Sequence, residues 1–355
     1  MRIGIYSPYL NILGGGERYI LLIASLLGKQ HLVDVFWSND FKFKAGEAFG
    51  INLSNVNFVG NCFRENNKKI LNLMQISLLT KKYDRFFYVT DGSLFYSFAK
   101  KNFLVIQVPQ KSMYQNNFIT NLKLSSWNSA LVYSDYVKEH IKKWWKINIE
   151  ILPAAINISD FFAGKKENII LSVGRFFPLP HSKKQDVLVE IFEELCRNGL
   201  THWKLVLAGG VEEKGREFFD KVKKKVKDLP VELYPNIEYK KLLELYSKAK
   251  IYWHAAGYKE DLSTYPERAE HFGITTLEAM ASGAVPVVFA AGGQKEVVQD
   301  KENGYFWNSR KELCEITSYL IKNEKIRNKI SLQAKQRSWD FDIKIFKQKL
   351  DDLIR

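Results

Sequence analysis

The feature that most constrains this 355-residue chain is a pattern that runs through it twice: a short apolar run, a stretch of helical periodicity, then another apolar run. Apolar runs of strand length separated by helix-sized connections build parallel sheets, with the helices covering both faces. In the first half the runs stand at 3–7, 32–36, 86–89, 104–108, 130–133 and 149–152. They restart at 168–173 and continue at 204–208, 231–233, 251–254 and 285–289. Between the two series lie Leu152-Pro153-Ala154-Ala155-Ile156-Asn157 and the polar Gly164-Lys165-Lys166-Glu167, which read as a hinge. The expectation is an α/β chain of two Rossmann-like, doubly wound domains facing a cleft. Their boundaries are placed at 1–157 and 158–338, with a terminal helix in 339–355 carrying Ile345, Phe346, Leu350 and Leu353 on one face.

Ligands of such sheets sit beyond the carboxyl ends of the strands. The most informative segment there is 267–286, Glu-Arg-Ala-Glu-His-Phe-Gly-Ile-Thr-Thr-Leu-Glu-Ala-Met-Ala-Ser-Gly-Ala-Val-Pro. Gly273 permits a turn that a side chain would hinder, and Ile274 to Ala281 reads as a helix stopped at Gly283. A helix N-terminus carries about half a positive charge and unpaired amides, so it suits an anion. Glu270 and Glu278 flank that spot. Two readings of the acids stand side by side: hydroxyl ligands, or a capping box formed by Thr275 and Glu278 with Glu270 solvated.

The segment resembles the Glu-x7-Glu signature of the family 4 glycosyltransferases, through Glu-His-Phe-Gly and Glu-Ala-Met-Ala-x-Gly. The likeness runs along nearly the whole chain and is sharper in the second half. It implies a GT-B fold whose last helix crosses back to the first domain, and a retaining, metal-independent sugar transfer. The donor is a UDP- or GDP-linked sugar, the acceptor a hydroxyl of a glycan, polysaccharide or lipid-linked saccharide, and no cofactor is required. By the resemblance Glu270 meets the donor sugar, Glu278 the ribose, and the amides near Gly273, Ile274 and Thr275 the diphosphate. Arg175 of Gly174-Arg175 and a lysine of the Lys183-Lys184 pair grip the leaving phosphates, with Lys184 in the usual glycine place. Asn236 and Ile237 cradle the base. Arg175, Lys183 and Glu270 form the candidate catalytic set. The 1–157 domain is the acceptor side and 158–338 the nucleotide-sugar side.

In the first half, Gly14-Gly15-Gly16 precedes an apolar-periodic helix. A dinucleotide fingerprint would need a third glycine where Tyr19 stands, and Asp34 lies inside a strand, so NAD is disfavoured. The resemblance brings Gly15 and Gly16 beside the donor phosphate and the acceptor; the alternative is a plain turn. It also leaves Gln107, which can be neither acid nor base, where relatives often have a histidine. Asp91 in Thr90-Asp91-Gly92 reads as an acceptor-orienting acid or a turn acid.

Charge is +14 and uneven. Residues 1–155 hold 19 Lys/Arg against 10 Asp/Glu, which favours an anionic partner without choosing one. Two stretches suit an anionic membrane surface: Lys68-Lys69 and Lys81-Lys82 around an apolar helix, and Lys142-Lys143-Trp144-Trp145-Lys146. Core burial of the first stretch, and of one of the two indoles, is the competing account. The opening residues lack a signal peptide's apolar run, and no run of about 18 apolar residues occurs. Cys62, Cys196 and Cys314 are spaced like reduced thiols. A cytoplasmic location follows as an expectation, with the inner membrane face as a candidate site of peripheral attachment. Asp340-Phe341-Asp342 reads as a helix cap, and no metal is expected. Three rival readings are an epimerase or phosphorylase on the same fold, a silent sugar-nucleotide binder, and a nucleic-acid module. Nucleic acid is disfavoured because the aromatics form no stacking platform.

Overall fold

The computed structural model describes residues 1–60, 69–178, 180 and 182–355, with only the backbone of 69–73. Cys62, Lys68 and His181 lie outside the described residues. The chain divides into two compact units, Met1–Ala154 with Phe346–Arg355, and Ala155–Ile345.

Unit 1 runs β1 (Arg2–Tyr6), α1 (Gly15–Gly28), β2 (Leu32–Val35), α2 (Phe41–Phe49), β3 (Val56–Phe58), α3 (Lys69–Thr80), β4 (Arg85–Val89), β5 (Lys101–Val105), α4 (Phe118–Leu124), β6 (Ser129–Val132), α5 (Asp135–Ile141) and β7 (Ile149–Ile151). Among the described residues its strands are all parallel, in the order β3-β2-β1-β4-β5-β6-β7. Continuous apolar strands such as Arg85–Val89 are what two covered faces demand. One face is filled by a core that takes Ile76 from α3, Phe95 from the β4–β5 crossover, Leu124 from α4, and Val137 and Ile141 from α5.

Unit 2 runs β8 (Glu167–Val173), α6 (Gln185–Arg197), β9 (Lys204–Gly209), α7 (Arg216–Lys225), β10 (Val231–Pro235), α8 (Tyr239–Lys248), β11 (Ala249–His254), α9 (Ile274–Ala281), β12 (Val285–Phe289), α10 (Gln294–Val297), β13 (Tyr305–Trp307), α11 (Arg310–Lys322) and α12 (Glu324–Ser338), and holds the first turn of α13 (Ile343–Ile354). Its parallel strands take the order β10-β9-β8-β11-β12-β13 among the described residues. The order reverses between β8 and β11, so the carboxyl ends of those two strands are where a ligand site belongs. Ile170, Leu207, Ile251, Trp253 and Val287 carry its core.

Each expected strand is present, but one is displaced. The run at 104–108 pairs as Lys101–Val105, which puts Gln107 beyond the strand. The short edge strands β3 and β13 were not among the expected ones; they are strands through their pairing with β2 and β12.

The last helix starts on unit 2 and ends on unit 1. Asp342 caps it, accepting from the Lys344 amide at 2.9 Å and from Ile158 N–H at 3.3 Å. From Phe346 onward the helix belongs to unit 1. Phe346 packs edge-on against Tyr19, and Arg85 and Lys101 donate to the carbonyls of Ile354 and Leu353 at 2.6 and 2.7 Å. The units thus divide at 154/155 and 345/346, where the sequence placed 157/158 and 338/339. The thiols of Cys196 and Cys314 are free and partly buried; burial raises the latter to about 11. Among the described residues no helix is long and apolar enough to cross a membrane.

Candidate active site

The switch point of unit 2 holds a charged cluster. His254 ends β11, and Glu270 arrives from the loop that precedes α9. The Glu270 carboxylate accepts from Lys183 Nζ at 2.6 Å and from His254 Nε2 at 2.8 Å, both on Oε2. Burial pushes its pKa upward, but Lys183 and His254 outweigh this and hold it well below the usual carboxylate range. His254 is 2% exposed; burial lowers its pKa against the pull of Glu270, so it is a neutral ring donating Nε2–H to the carboxylate. Its Nδ1 has no hydrogen-bond partner among the described residues.

The two lysines of the pair take different partners. Lys183 lays its stem against Gly174, where an added Cβ would stand 2.7 Å from Lys183 Cγ, and reaches Glu270. Lys184 adopts φ 57°, ψ 37°, the left-handed conformation that glycine takes without cost, and its ammonium turns to Glu260. Glu260 is shared with Arg268 at 2.8 Å.

Gly273 caps α9 with φ 106°, and a Cβ there would meet the Gln294 side chain at 2.9 Å. The loop it belongs to is braced from behind. Gly293 N–H donates to the Glu270 carbonyl at 2.8 Å, and Gln294 Nε2 donates to Thr276 Oγ1 at 3.0 Å. Gly292, at φ 60°, leaves only 2.1 Å between a hypothetical Cβ and that same carbonyl. Ile274 and Thr275 open the helix, and Tyr252 donates to Thr275 Oγ1 at 2.8 Å.

Glu278 does not close a capping box. Gly273 supplies the cap position without a side chain, and Glu278, 2% exposed, accepts from Tyr246 OH at 2.8 Å.

Arg175 follows Gly174, and its carbonyl and that of Gly174 both accept from Gln185 Nε2 at 3.1 Å. Its guanidinium is paired with Glu212 at 3.2 Å, apart from the Lys183–Glu270–His254 cluster; both side chains are solvated. Asn236 follows β10 at φ 52°, tied by its N–H to the Gly209 carbonyl and by Oδ1 to Val211 N–H. Ile237 is half-buried beside it.

In unit 1, Gly15 and Gly16 lie in the first turn of α1 rather than in a loop. Gln107 Nε2 donates to the Gly16 carbonyl at 3.0 Å, and a Cβ on Gly16 would fall 2.1 Å from Gln107 Oε1. Asp91 accepts from Ser93 N–H and Oγ, a local turn. Asp34 accepts from Arg2, Asn57 and Tyr83, which commits it to the sheet. Of the basic aromatic stretch, Trp145 is core at 1% exposure and Trp144 stacks on Tyr114. Asp340 pairs with Arg337. No group of three or more His, Cys, Asp or Glu that could hold a metal occurs among the described residues.

The family model described as "Glycosyl transferases group 1" matches residues 156–337, over half of the chain. The chain belongs to the group 1 glycosyl transferases. Among curated relatives, this glycosyl transferase is 27% identical over 229 residues to a Dictyostelium discoideum GDP-Man:Man(3)GlcNAc(2)-PP-Dol alpha-1,2-mannosyltransferase, covering 59% of this chain and 43% of that one. It spans less than half the length of this relative and of the human protein of the same name. Against the Campylobacter jejuni GalNAc-alpha-(1->4)-GalNAc-alpha-(1->3)-diNAcBac-PP-undecaprenol alpha-1,4-N-acetyl-D-galactosaminyltransferase it is 23% identical, over 100% of this chain and 98% of the relative. Among solved structures, Anabaena HepE in complex with UDP and glucose superposes with a TM-score of 0.74 at 16% identity, covering 100% and 99% of the two chains. Sucrose-phosphate synthase from Thermosynechococcus elongatus gives 0.74 at 16% identity, covering 99% and 98%. These likenesses show the fold, which is GT-B.

Proposed function

We propose that the chain transfers a sugar from a nucleotide diphosphate sugar to an acceptor hydroxyl, with retention at the anomeric carbon and without a metal ion. The observation that carries this is the convergence of Lys183 and His254 on one oxygen of Glu270, beside the N-terminus of α9. Both contacts use Oε2, so Oε1 remains to accept from the donor sugar's hydroxyls. Lys183 stands within reach of any phosphate drawn to the first amides of α9, Ile274 and Thr275. Glu278 receives the ribose, and Asn236 and Ile237 lie against the base. The Arg175–Glu212 pair is exposed, and such pairs are worth only about 0–1 kcal/mol, so Arg175 can leave it for the diphosphate at little cost. Gly15 and Gly16 supply the acceptor-side contribution.

The leaving phosphate gathers charge as the glycosidic bond breaks, and Arg175, Lys183 and the α9 amides stabilise it. The lipid-linked saccharides in the relatives' names make a lipid-linked acceptor the first to test. In this reading the chain works in the cytoplasm or at the inner membrane face.

A panel of sugar nucleotides tests donor binding by thermal stabilisation. A ligand at 100 times its Kd adds about 2.7 kcal/mol. Arg175→Ala is expected to lower turnover about 10²–10³-fold with the fold intact, the loss typical of one preorganised charge-stabilising donor. Turnover near wild type would remove Arg175 from the site. Interconversion of a labelled donor without acceptor would favour the epimerase instead.

A further inference from the structure

Two neighbouring lysines of unit 2 reach two carboxylates of a single loop. Lys183 and Lys184 precede α6, and the segment between β11 and α9 offers Glu270 to the first and Glu260 to the second. The proposed donor chemistry uses the first contact and leaves the second without a role. Yet the second is the more enclosed. Lys184 and Glu260 are 15% and 6% exposed, against 27% and 15% for Lys183 and Glu270. Water screens such a pair less than it does a surface pair, and removing one partner strands the other.

Lys184 is the residue that needs an anchor. It caps α6 from the left-handed region, which a residue with a Cβ enters only at a cost. Its N–H donates to Ser182 Oγ at 3.1 Å, and its carbonyl accepts from the Val187 and Leu188 amides, each at 3.1 Å. The helix side of the turn is fixed, because Gln185 is tied to the Gly174 and Arg175 carbonyls and Leu188 and Val189 lie in the core. Relaxation of Lys184 toward the right-handed region therefore swings Ser182 and Lys183, not α6. Glu260, by contrast, is held on every side. Its N–H donates to the Gly257 carbonyl at 3.1 Å, and Asp261 closes the next turn on the Ser263 and Thr264 amides at 3.1 and 3.2 Å. Lys184 takes its Oε1 and Arg268 its Oε2, and the Arg268 guanidinium lies 3.9 Å over the Tyr265 ring.

We propose that Glu260 is a positioning residue: it holds Lys184 in the left-handed conformation and so fixes where Lys183 presents its ammonium to Glu270 and to the donor's phosphates. The role in donor binding rests on the proposed function of the unit 2 site. A glycine at 184 would take the same turn unaided. This chain reaches it with a lysine and an ion pair to the loop across from it. The turn before α6 and the loop before α9 are thereby tied at two points, one of them away from the reacting groups.

The test sets Lys184→Gly against Lys184→Ala in the full chain. Both remove the ion pair and leave Glu260 on Arg268, but only glycine enters the left-handed region freely. The readout is the Kd for UDP or GDP, whichever stabilises wild type, measured by titration calorimetry. Lys184→Gly should stay within about twofold of wild type, because glycine takes positive φ about as readily as negative. Lys184→Ala and Glu260→Gln should each weaken binding about tenfold, the population shift that the left-handed cost implies. Glu260→Gln added to Lys184→Gly should then change little, whereas a merely structural role through Arg268 would weaken both backgrounds alike. Crystal structures give a readout that needs no nucleotide: Lys183 Nζ should remain on Glu270 in Lys184→Gly and leave it in Lys184→Ala. Should Glu260→Gln fail to fold, the glycine and alanine variants decide alone. Equal losses in those two, or Lys183 still on Glu270 in the Lys184→Ala structure, overturns the proposal. If the crystallographic pattern holds while neither nucleotide stabilises wild type, the positioning of Lys183 stands and the donor assignment falls.

Discussion

Removing the Glu270 side chain takes away the acceptor that Lys183 and His254 share, and the structure says how unequally the two donors fare. Lys183 is 27% exposed and can recover water. His254 is 2% exposed and cannot, and its Nδ1 is already without a partner among the described residues. Stranding a buried donor costs about 1–3 kcal/mol, and the lost charged contact to Lys183 adds part of another 1.5–3 kcal/mol. Glu270→Ala should therefore destabilise unit 2 by about 2–3 kcal/mol, which lowers Tm by about 4–12 °C for a unit of this size. Glu270→Gln keeps an oxygen for one donor and should lose about half as much. The pH dependence supplies a second readout. Both folded-state pKa values lie below their ordinary values, Glu270 through Lys183 and His254 against its burial, His254 through burial itself. The unfolded chain therefore binds more protons as pH falls. The His254 contribution is complete above about pH 6.5 and is lost as pH falls below it toward the folded value; that of Glu270 is complete above about pH 4.5 and fades below that. Scanning calorimetry of wild type, Glu270→Ala and His254→Gln across that range checks this. A Glu270→Ala protein melting within about 1 °C of wild type at neutral pH would refute the reasoning, because no burial cost would then attach to His254.

Gly292→Ala should cost at least about 2 kcal/mol, since it combines a left-handed φ with a Cβ 2.1 Å from the Glu270 carbonyl; chemical denaturation measures it, and donor affinity should fall with it. Gly16→Ala forces Gln107 aside and should cost about 1 kcal/mol, and a Gly16→Ala, Gln107→Ala double variant should recover most of that beyond the loss from Gln107→Ala alone. An additive double-mutant cycle by denaturation would show the contact to be inert. Tyr246→Phe removes the hydroxyl donor to Glu278, at a cost of about 1.5–3 kcal/mol, and on the proposed role of Glu278 should raise the donor KM while sparing kcat.

The fold could be read in the sequence because a strand buried on two faces must be apolar throughout, and a parallel connection must be long enough to hold a helix. Those two demands leave marks that survive without any partner in view. Helix α9 runs Ile274–Ala281, where the sequence placed it, since both its bounds are glycines with φ of 106° and 78°. What escaped were elements whose existence depends on a neighbour. Three-residue β3 is a strand only because β2 lies beside it, and the true start of β5 is set by its register with β4.

The same division runs through the candidate site. Glu270, Gly273 and Lys183 sit in local patterns that a reader can isolate, whereas His254 reads in sequence as the polar end of an apolar strand. Its position was nonetheless a signal: it ends β11 at the point where strand order reverses, which is where ligands gather. Glu278 erred the other way, because its local pattern matched a capping box perfectly well. The box needs a cap side chain free to receive, and Gly273 has none. The glycine that caps α9 without a side chain is thus the same feature that leaves Glu278 to Tyr246. Local chemistry names the groups that can act, but which of two local partners a carboxylate takes is decided by what the tertiary fold brings against it. For Glu278 that is a tyrosine 32 residues away on α8.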